Sequence, residues 1–292
     1  MTHVHPQPDT LLEPVPCTRA DWEVSASDAP GIKRAYDRLG FCLIPDLLTA
    51  RDLQTLRDAY DSAVADGALQ LAKDELPPQP DAAYRHPAFF DMVLDDRILA
   101  IVRKLIGDQV EIHHTKINSM PVEPGDKARI NWHQDYALAP HTNGDMVTVG
   151  IHLDDETEDH APLRFIPGSH TWGVLPHDED GKFLYQCRDL DMLDSQPQQT
   201  VSLKAGDVTM HHTLAAHATG PKRATGPRRL VAFHYRAADA VQLAGPIYKI
   251  TGTPATRVDE IRYARFFDGS RVMLRGRHGR LYDIYGKLAP DT

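Results

Sequence analysis

Apolar and polar positions along this chain follow two different periods. In Ala29–Leu39, residues 49–66 and residues 95–107, apolar side chains recur three and four positions apart, as on one face of a helix. Thr49 is a suitable N-cap for the second of these segments, and Gly67 ends it. The pattern therefore predicts three amphipathic helices whose apolar stripes pack against a core.

The rest of the pattern consists of short apolar runs separated by turn signals. These runs lie at residues 41–44, 110–121, 146–153, 163–167, 200–203, Val208–His212 and 229–235. Many short strands with turns between them are typical of a sandwich or barrel, whereas strands that alternate with helices indicate a parallel sheet. We expect a mainly β fold with flanking helices, namely a double-stranded β-helix, the cupin-like jelly-roll of two antiparallel sheets.

The strand predicted at residues 110–121 carries polar side chains on both faces. Strict alternation groups Ile112 with His114, Lys116 and Asn118, and Glu111 with His113, Thr115 and Ile117. A strand with polar residues on its inner face often lines the mouth of a barrel. The sequence leaves open which of the two faces lies inside.

Three polar or weakly patterned stretches frame these elements. Residues 1–28 contain four prolines and little periodicity, which predicts a flexible N-terminal arm. Residues 171–199 are polar and acidic, and we expect a long loop of functional or mobile character. Residues 237–292 form a weakly patterned extension with a basic stretch near its end. The expected organisation is one domain over residues 29–292 with its core at residues 41–236.

Composition excludes several classes of protein. The chain has 292 residues and a net charge of −9, which argues against a nucleic-acid surface because such a surface needs a basic patch. No run of eighteen apolar residues is present, so we expect no membrane span, and residues 1–16 lack the pattern of a signal peptide. Cys17, Cys42 and Cys187 are too widely spaced to indicate a disulfide framework or a zinc site. A reducing, cytoplasmic setting is therefore expected.

The sequence WHQDY at residues 132–136 carries the candidate chemistry. His133 and Asp135 are two positions apart, so on an extended strand both side chains would point to the same face. A third ligand could come from the later histidine cluster at residues 211–217. Two histidines and one carboxylate on one side of a metal form the facial triad of non-haem Fe(II) oxygenases, which leaves the other coordination positions open.

The order of the motifs is more specific than any single motif. HQD at residues 133–135 is followed by PGSH at 167–170, GDV at 206–208, the histidine cluster and Arg228. This order, over roughly residues 41–236, resembles the phytanoyl-CoA dioxygenase family of Fe(II)/2-oxoglutarate dioxygenases. The resemblance implies an enzyme that uses Fe(II), 2-oxoglutarate and O2 to hydroxylate an unactivated C–H bond, with release of succinate and CO2.

The resemblance also implies roles for individual residues. His133, Asp135 and His217 would bind the metal, since His217 opens a stretch similar to the His-Gly-Ser-Gly of the family and precedes an arginine at the spacing of the family. That arginine, Arg228, would bind the distal carboxylate of 2-oxoglutarate through its planar fork, with Arg229 as the alternative.

Further residues are candidates for contacts with the co-substrate or the substrate. Thr219 and Lys116 are candidates for the co-substrate site, and Tyr136, His212 and Phe233 for the substrate pocket. His211, next to His212 but on the opposite face of a strand, is expected to be structural. The PGSH motif is expected to form a sharp turn.

Several outcomes at this site stay open. We expect hydroxylation of a small organic molecule, namely a natural-product intermediate, but desaturation, epoxidation, ring rearrangement or action on an acyl-CoA would need only a different substrate position. Halogenation is disfavoured, because the related halogenases lack the carboxylate that Asp135 supplies. Nucleic-acid repair is disfavoured because Arg223 and Arg229 follow His217 too closely. The non-enzymatic alternative is a cupin-like binding protein for small molecules.

Overall fold

A computed structural model describes residues 13–69, 79–80, 82–125, 129–179, 182–243, 273–275 and 281–283. The first twelve residues of the expected arm and most of the expected C-terminal extension lie outside these residues. In the described part, no helix is long and apolar enough to cross a membrane. All three cysteines are free, and the cytoplasmic setting stays a prediction.

The predicted amphipathic helices are present, and each has a recognisable start. The α-helices are α1 (Arg19–Trp22), α2 (Ala29–Leu39), α3 (Ala50–Ala65), α4 (Pro87–Val93), α5 (Asp96–Ile106), α6 (Asp135–Leu138) and α7 (Leu190–Asp194). Thr49 and Asp52 form a capping box at the start of α3, and Asp95 caps α5. Gly40 ends α2 in the left-handed conformation, with φ of 84°, and leads directly into the first strand.

Antiparallel strands make up the centre of the molecule. The strands are β1 (Phe41–Ile44), β2 (Gln79–Pro80), β3 (Val110–Met120), β4 (Met146–His152), β5 (Leu163–Phe165), β6 (Asp178–Glu179), β7 (Lys182–Phe183), β8 (Gln199–Val201), β9 (Val208–His212), β10 (His217–Thr219), β11 (Arg228–Ala237), β12 (Met273–Arg275) and β13 (Leu281–Asp283). A six-stranded sheet has the order β1-β9-β4-β11-β3-β2, and a three-stranded sheet has the order β10-β5-β8. The predicted mainly antiparallel β fold with flanking helices is confirmed at this level.

The two faces of the large sheet have different partners. On β11, Val231, Phe233 and Tyr235 join the large apolar cluster that includes α2, α3 and α5. The alternate positions Leu230 and Ala232 line a cavity on the other face. Since side chains alternate along a strand, one face of the sheet packs on helices and the opposite face is free to build a site.

A β-bulge in β3 changes which side chains share a face, so the prediction that Ile112 lies on the same face as Lys116 and Asn118 is wrong. Lys116 and Asn118 line the cavity together, but the register shifts between His114 and Ile112 opposite β11. Ile112 consequently packs against the helix-side cluster rather than sharing a face with Lys116. One extra residue in a strand reverses the direction of every side chain beyond it.

The predicted long loop at residues 171–199 contains short elements. The two-residue strands β6 and β7 pair with each other, and α7 spans Leu190–Asp194. Elements of two to five residues are too short to produce a visible hydrophobic period, so the sequence indicated only a polar stretch.

Stacked aromatic rings join the two sheets. Phe41 of β1 and Phe165 of β5 stack with ring centroids 4.5 Å apart and planes 7° apart. Phe165 is fully buried and its ring also lies 5.8 Å from that of His217. This apolar layer holds the small sheet against the large one below the cavity.

We expect Phe165→Ala to lower the free energy of unfolding by about 3–5 kcal/mol, because it removes a fully buried ring and leaves a cavity between the sheets. Chemical denaturation measures this change. Leu94→Ala is the control, since Leu94 is 56% exposed and its loss should change stability by about 0.5 kcal/mol or less. Equal losses in the two variants would contradict the role given to the aromatic layer.

Candidate metal centre

A backbone bridge brings the candidate metal ligands together. His133 and His217 exchange two hydrogen bonds, from each backbone N–H to the carbonyl oxygen of the other, both 3.0 Å long. Gln134 is extended, but Asp135 begins α6 instead of continuing a strand. The expected extended strand is therefore limited to His133, which forms the bridge, and Gln134, which is extended. This is enough to place the side chains of His133 and Asp135 on the same side.

The ligand atoms of His133, Asp135 and His217 all lie within 4.8 Å of one another, and the three residues are buried. The Nε2 atom of His133 lies 3.9 Å from Oδ1 of Asp135, and the Nε2 atom of His217 lies 3.9 Å from Oδ2 of Asp135. No other such group of His, Cys, Asp or Glu side chains is found among the residues that the structure describes.

Backbone carbonyl groups fix the tautomer of both histidines. Nδ1 of His133 lies 2.9 Å from the oxygen of Asn131, and Nδ1 of His217 lies 2.9 Å from that of Ala215. A carbonyl oxygen can only accept, so Nδ1 carries the proton and the lone pair of Nε2 points to the common centre. Burial lowers the pKa of His133 to about 4 and the pKa of His217 well below its ordinary value. Both imidazoles are therefore neutral at pH 7, as metal binding requires.

Asp135 is held ionised by the groups around it. Burial alone would raise its pKa, but Lys116, His234 and His211 together hold that pKa well below its ordinary value. Nζ of Lys116 lies 3.2 Å from Oδ1, while the hydroxyl of Thr148 donates to Oδ2 over 2.9 Å. Two neutral imidazoles and one carboxylate that face a common point fit a divalent first-row metal, Fe(II) included.

Arg228 lies in the same cavity as these three residues. Arg228 lines this cavity and is itself fully buried. Its Nε atom lies 3.1 Å from Oε1 of Glu156, yet none of its guanidinium nitrogens has a hydrogen-bond partner among the described residues. Buried guanidinium nitrogens without partners are rare in folded proteins, and they fit a carboxylate ligand in the cavity.

The neighbouring Arg229 faces the opposite side of β11. It forms hydrogen bonds to both carboxylate oxygens of Asp154 and lies over the ring of Tyr60. Between the two arginines left open by the sequence, the structure brings Arg228 into the cavity and leaves Arg229 in a largely buried ion pair with Asp154 on the opposite face.

Thr219 and Lys116 both line the cavity. The Oγ1 atom of Thr219 accepts a hydrogen bond from the backbone N–H of Ile130, at 2.7 Å, so its own hydrogen is available to a ligand. Lys116 is paired with Asp135, which places its ammonium group at the metal end of the cavity rather than beside Arg228.

None of the three predicted substrate-pocket residues is among the described residues that line this cavity, and their contact with substrate stays a prediction. Phe233 points into the helix-side core, on the opposite face of β11 from its neighbour Ala232, which lines the cavity. His212 packs against Tyr36 on that same helix-side face, with ring centroids 5.6 Å apart. The hydroxyl of Tyr136 donates to the carbonyl of His141 over 2.5 Å.

His211 occupies the position that the sequence analysis gave to His212. It lines the cavity, and its Nε2 lies 3.2 Å from Oδ2 of Asp135. Thr148 and Gly150 of β4 also line the cavity, and His152 follows on the same face. The signal for these β4 residues was a small or polar side chain at every second position of an otherwise apolar strand.

Gln134, which lies between the metal-ligand candidates His133 and Asp135, forms hydrogen bonds through its side chain and its backbone N–H. Its Nε2 donates to the carbonyl oxygens of Gly173 and Leu214, and its Oε1 accepts from the backbone N–H of Leu175. Its own backbone N–H donates to Nε2 of His177 over 3.1 Å. These bonds tie the ligand segment to the loop that follows residue 170, so Gln134 sets the positions of its two neighbours.

Comparison with known proteins agrees with this geometry. The family profile described as Phytanoyl-CoA dioxygenase (PhyH) matches residues 36–230. A probable alpha-ketoglutarate-dependent hypophosphite dioxygenase of Stutzerimonas stutzeri is 34% identical over 163 residues, which are 54% of this chain and 56% of that protein. An ectoine dioxygenase of Sphingopyxis alaskensis is 27% identical over 170 residues, which are 53% of this chain and 54% of that protein. The matches thus span about half the length of these curated relatives.

A solved structure shares the fold. The non-heme alpha ketoglutarate dependent carbocyclase SnoK from nogalamycin biosynthesis superposes with a TM-score of 0.63 at 23% identity, over 79% of this chain and 90% of that one. At this level of identity, the likeness concerns the arrangement of helices and strands.

We expect Gln134→Ala to lower the free energy of unfolding by about 1–2 kcal/mol, since it removes three part-buried hydrogen bonds between the side chain and the backbone. It should also weaken binding of Ni(II), an air-stable probe of the site, by at least about 10-fold, as loss of a group that orients metal ligands does. Denaturation and a metal titration measure the two effects. Gln54→Ala on the exposed face of α3 is the control. Unchanged metal affinity in folded Gln134→Ala would contradict the positioning role.

Proposed function

Since this chain belongs to the phytanoyl-CoA dioxygenase family, we propose that it is an Fe(II)- and 2-oxoglutarate-dependent dioxygenase. Its reaction is the hydroxylation of an unactivated C–H bond in a small organic molecule, with release of succinate and CO2. The observation that carries this proposal is the joint placement of His133, Asp135 and His217 in one buried cavity with Arg228, whose guanidinium nitrogens have no hydrogen-bond partner among the described residues.

Each residue of the cavity has a defined part in this proposal. His133, Asp135 and His217 hold the iron from one side and leave the remaining coordination positions to the co-substrate and oxygen. Arg228 binds the distal carboxylate of 2-oxoglutarate with its two terminal nitrogens, and Thr219 donates its hydroxyl hydrogen to the same end. Iron and 2-oxoglutarate, when bound, supply the oxidising chemistry, while the protein supplies orientation and a site that excludes bulk water.

Lys116 belongs to the metal end of the cavity in this proposal. Its ammonium group lies 3.2 Å from Oδ1 of Asp135, where it helps to keep the carboxylate ionised and orients it. From there it also reaches the carboxylate of the co-substrate that binds near the metal.

We assign the two antiparallel sheets to a double-stranded β-helix, with one catalytic domain over residues 29–292 and its core at residues 41–236. The TM-score of 0.63 to a non-heme alpha ketoglutarate dependent carbocyclase supports this assignment, as does the site between the large sheet and the strand pair β5 and β10.

The proposed substrate is a small molecule, and a natural-product intermediate is our specific proposal. The relatives are named for hypophosphite and ectoine, and the solved structure comes from nogalamycin biosynthesis. These names support a small substrate and differ from one another in chemistry. The net charge of −9 supports the expectation that nucleic acid is not the substrate.

We expect His133→Ala and His217→Ala each to lower iron-dependent release of succinate from 2-oxoglutarate by about 100-fold or more, because each removes one of three metal ligands. Succinate is measured by mass spectrometry, and bound iron by metal analysis of the same samples. His160→Ala, which removes a histidine that bonds to Thr157 outside the cavity, should retain both. A cupin-like binding protein would bind 2-oxoglutarate without ever releasing succinate in any screen of small molecules, and that result would contradict the proposal.

We expect Arg228→Lys to raise the Kd for 2-oxoglutarate by at least about 30-fold, or about 2 kcal/mol, because lysine keeps the charge but cannot form two parallel hydrogen bonds to a carboxylate. Binding is followed by calorimetry on metal-loaded protein. Arg229→Lys on the opposite face of the same strand should bind 2-oxoglutarate as tightly as the wild type. If the two variants lose affinity equally, Arg228 is not the anchor of the co-substrate.

A further inference from the structure

Behind Arg228 lies a chain of buried polar groups that the proposed function does not use. Glu156 is 1% exposed and lies 3.1 Å from Nε of Arg228. His152 is fully buried, with Nδ1 2.6 Å from Oε1 of Glu156 and Nε2 3.0 Å from Oγ1 of Thr209. Thr209 in turn lines the cavity. A continuous path of contacts therefore runs from Arg228 through Glu156 and His152 and returns to the cavity at Thr209.

Arg228 and Glu156 carry opposite charges at the end of the cavity where the distal carboxylate would bind. Burial raises the pKa of Glu156, but Arg228 and His152 outweigh that effect and keep it below its ordinary value. Glu156 is thus ionised at pH 7 and cancels the charge of Arg228. A carboxylate bound to Arg228 would lie with Glu156 on the same guanidinium, and two carboxylates that share a buried site favour the uptake of a proton because like charges repel.

We propose that His152 and Glu156 form the proton-accepting part of the 2-oxoglutarate site, so that the distal carboxylate binds together with one proton from solvent. This inference rests on the proposed function. Glu156 and His152 act as positioning residues, since neither lines the cavity among the described residues, and both reach the co-substrate only through Arg228 and Thr209.

The hydrogen bonds define where the proton goes. In neutral His152, Nδ1–H donates to Glu156 and the lone pair of Nε2 accepts from the hydroxyl of Thr209. When Nε2 takes up a proton, it donates to Thr209 instead, and the hydroxyl hydrogen of Thr209 must turn away. Because Thr209 lines the cavity, that hydrogen becomes available to the bound carboxylate. Protonation therefore balances the charge and supplies one more donor to the co-substrate.

Gly150 shows how closely this path is packed. A Cβ atom at Gly150 would lie 2.6 Å from Oγ1 of Thr209 and 3.5 Å from Nε2 of His152. A side chain at position 150 would thus displace the hydroxyl from its contact with His152. Glycine keeps the cavity wall open at the point where the hydroxyl has to turn.

The other charged groups near this path face elsewhere. Among the described residues, Glu156 is the charged group in contact with His152, and Arg228 lies beyond Glu156. The carboxylate of Asp207 accepts hydrogen bonds from the backbone N–H groups of Asp46 and Lys204. Asp154 is paired with Arg229 on the opposite face of β11.

The test measures protons directly by calorimetry on the full chain loaded with Ni(II). 2-Oxoglutarate is titrated at pH 8 in two buffers of different ionisation enthalpy, and the difference in heat gives the number of protons taken up. Wild type is expected to take up about one proton, so its Kd should rise about tenfold for each pH unit in the alkaline range. Glu156→Gln should take up close to none, because its neutral amide leaves the charge of Arg228 to the co-substrate.

Two further variants make the result specific. Asp154→Asn is the matched control, because Asp154 pairs with Arg229 as Glu156 pairs with Arg228. This variant should keep the proton uptake and the pH dependence of the wild type. Thr209→Val keeps the shape of the side chain, lacks the hydroxyl, and should bind 2-oxoglutarate more weakly. It gives a second readout if Glu156→Gln does not fold.

The outcomes separate this inference from the proposed function. Tight binding of 2-oxoglutarate by the wild type without proton uptake would overturn the inference and leave the co-substrate site intact. The same proton uptake in wild type and folded Glu156→Gln would also overturn it. No binding of 2-oxoglutarate by folded, metal-loaded wild type would remove the proposed function and this inference together.

Discussion

The candidate centre depends on the pair of backbone hydrogen bonds between His133 and His217. These bonds fix the distance between two segments that are far apart in the sequence, and the carbonyl groups of Asn131 and Ala215 then set the direction of each imidazole. Backbone geometry therefore sets the separation and direction of the two histidine ligands. A site formed in this way loses little conformational freedom on binding, which favours affinity.

The second constraint is that the cavity is buried and yet full of polar groups. Asp135 is stabilised by Lys116, Thr148 and His211, whereas the guanidinium of Arg228 has an ion-pair partner but no hydrogen bond among the described residues. Buried polar atoms are normally satisfied, and the exceptions concentrate at functional sites. The contrast between a satisfied carboxylate and an unsatisfied arginine distinguishes the metal end of the cavity from its co-substrate end.

The sequence was sufficient for the elements and for the residues with a strong motif. Helical periods predicted α2, α3 and α5. The HQD motif supplied two of the three residues that the fold gathers, and the family resemblance supplied His217. His212 and Phe233 lie outside the cavity because placing them required knowing which face of each strand points inward. His212 and Phe233 are each one position away from residues that do line the cavity, His211 and Ala232, and no motif marks which phase faces inward. The bulge in β3 and the path from Glu156 to Thr209 depend on contacts between distant strands, which a single sequence does not reveal.

The most direct test of the central claim is an anaerobic absorption titration of metal-free protein with Fe(II) and 2-oxoglutarate. Chelation of the keto acid by iron at this site should produce a weak visible charge-transfer band that requires both additions, with one equivalent of each. A band of the same strength in a protein that lacks His133 and His217 would show that the iron lies elsewhere. Absence of any band in folded, iron-loaded wild type would contradict the assignment of His133, Asp135, His217 and Arg228 to one Fe(II)/2-oxoglutarate centre.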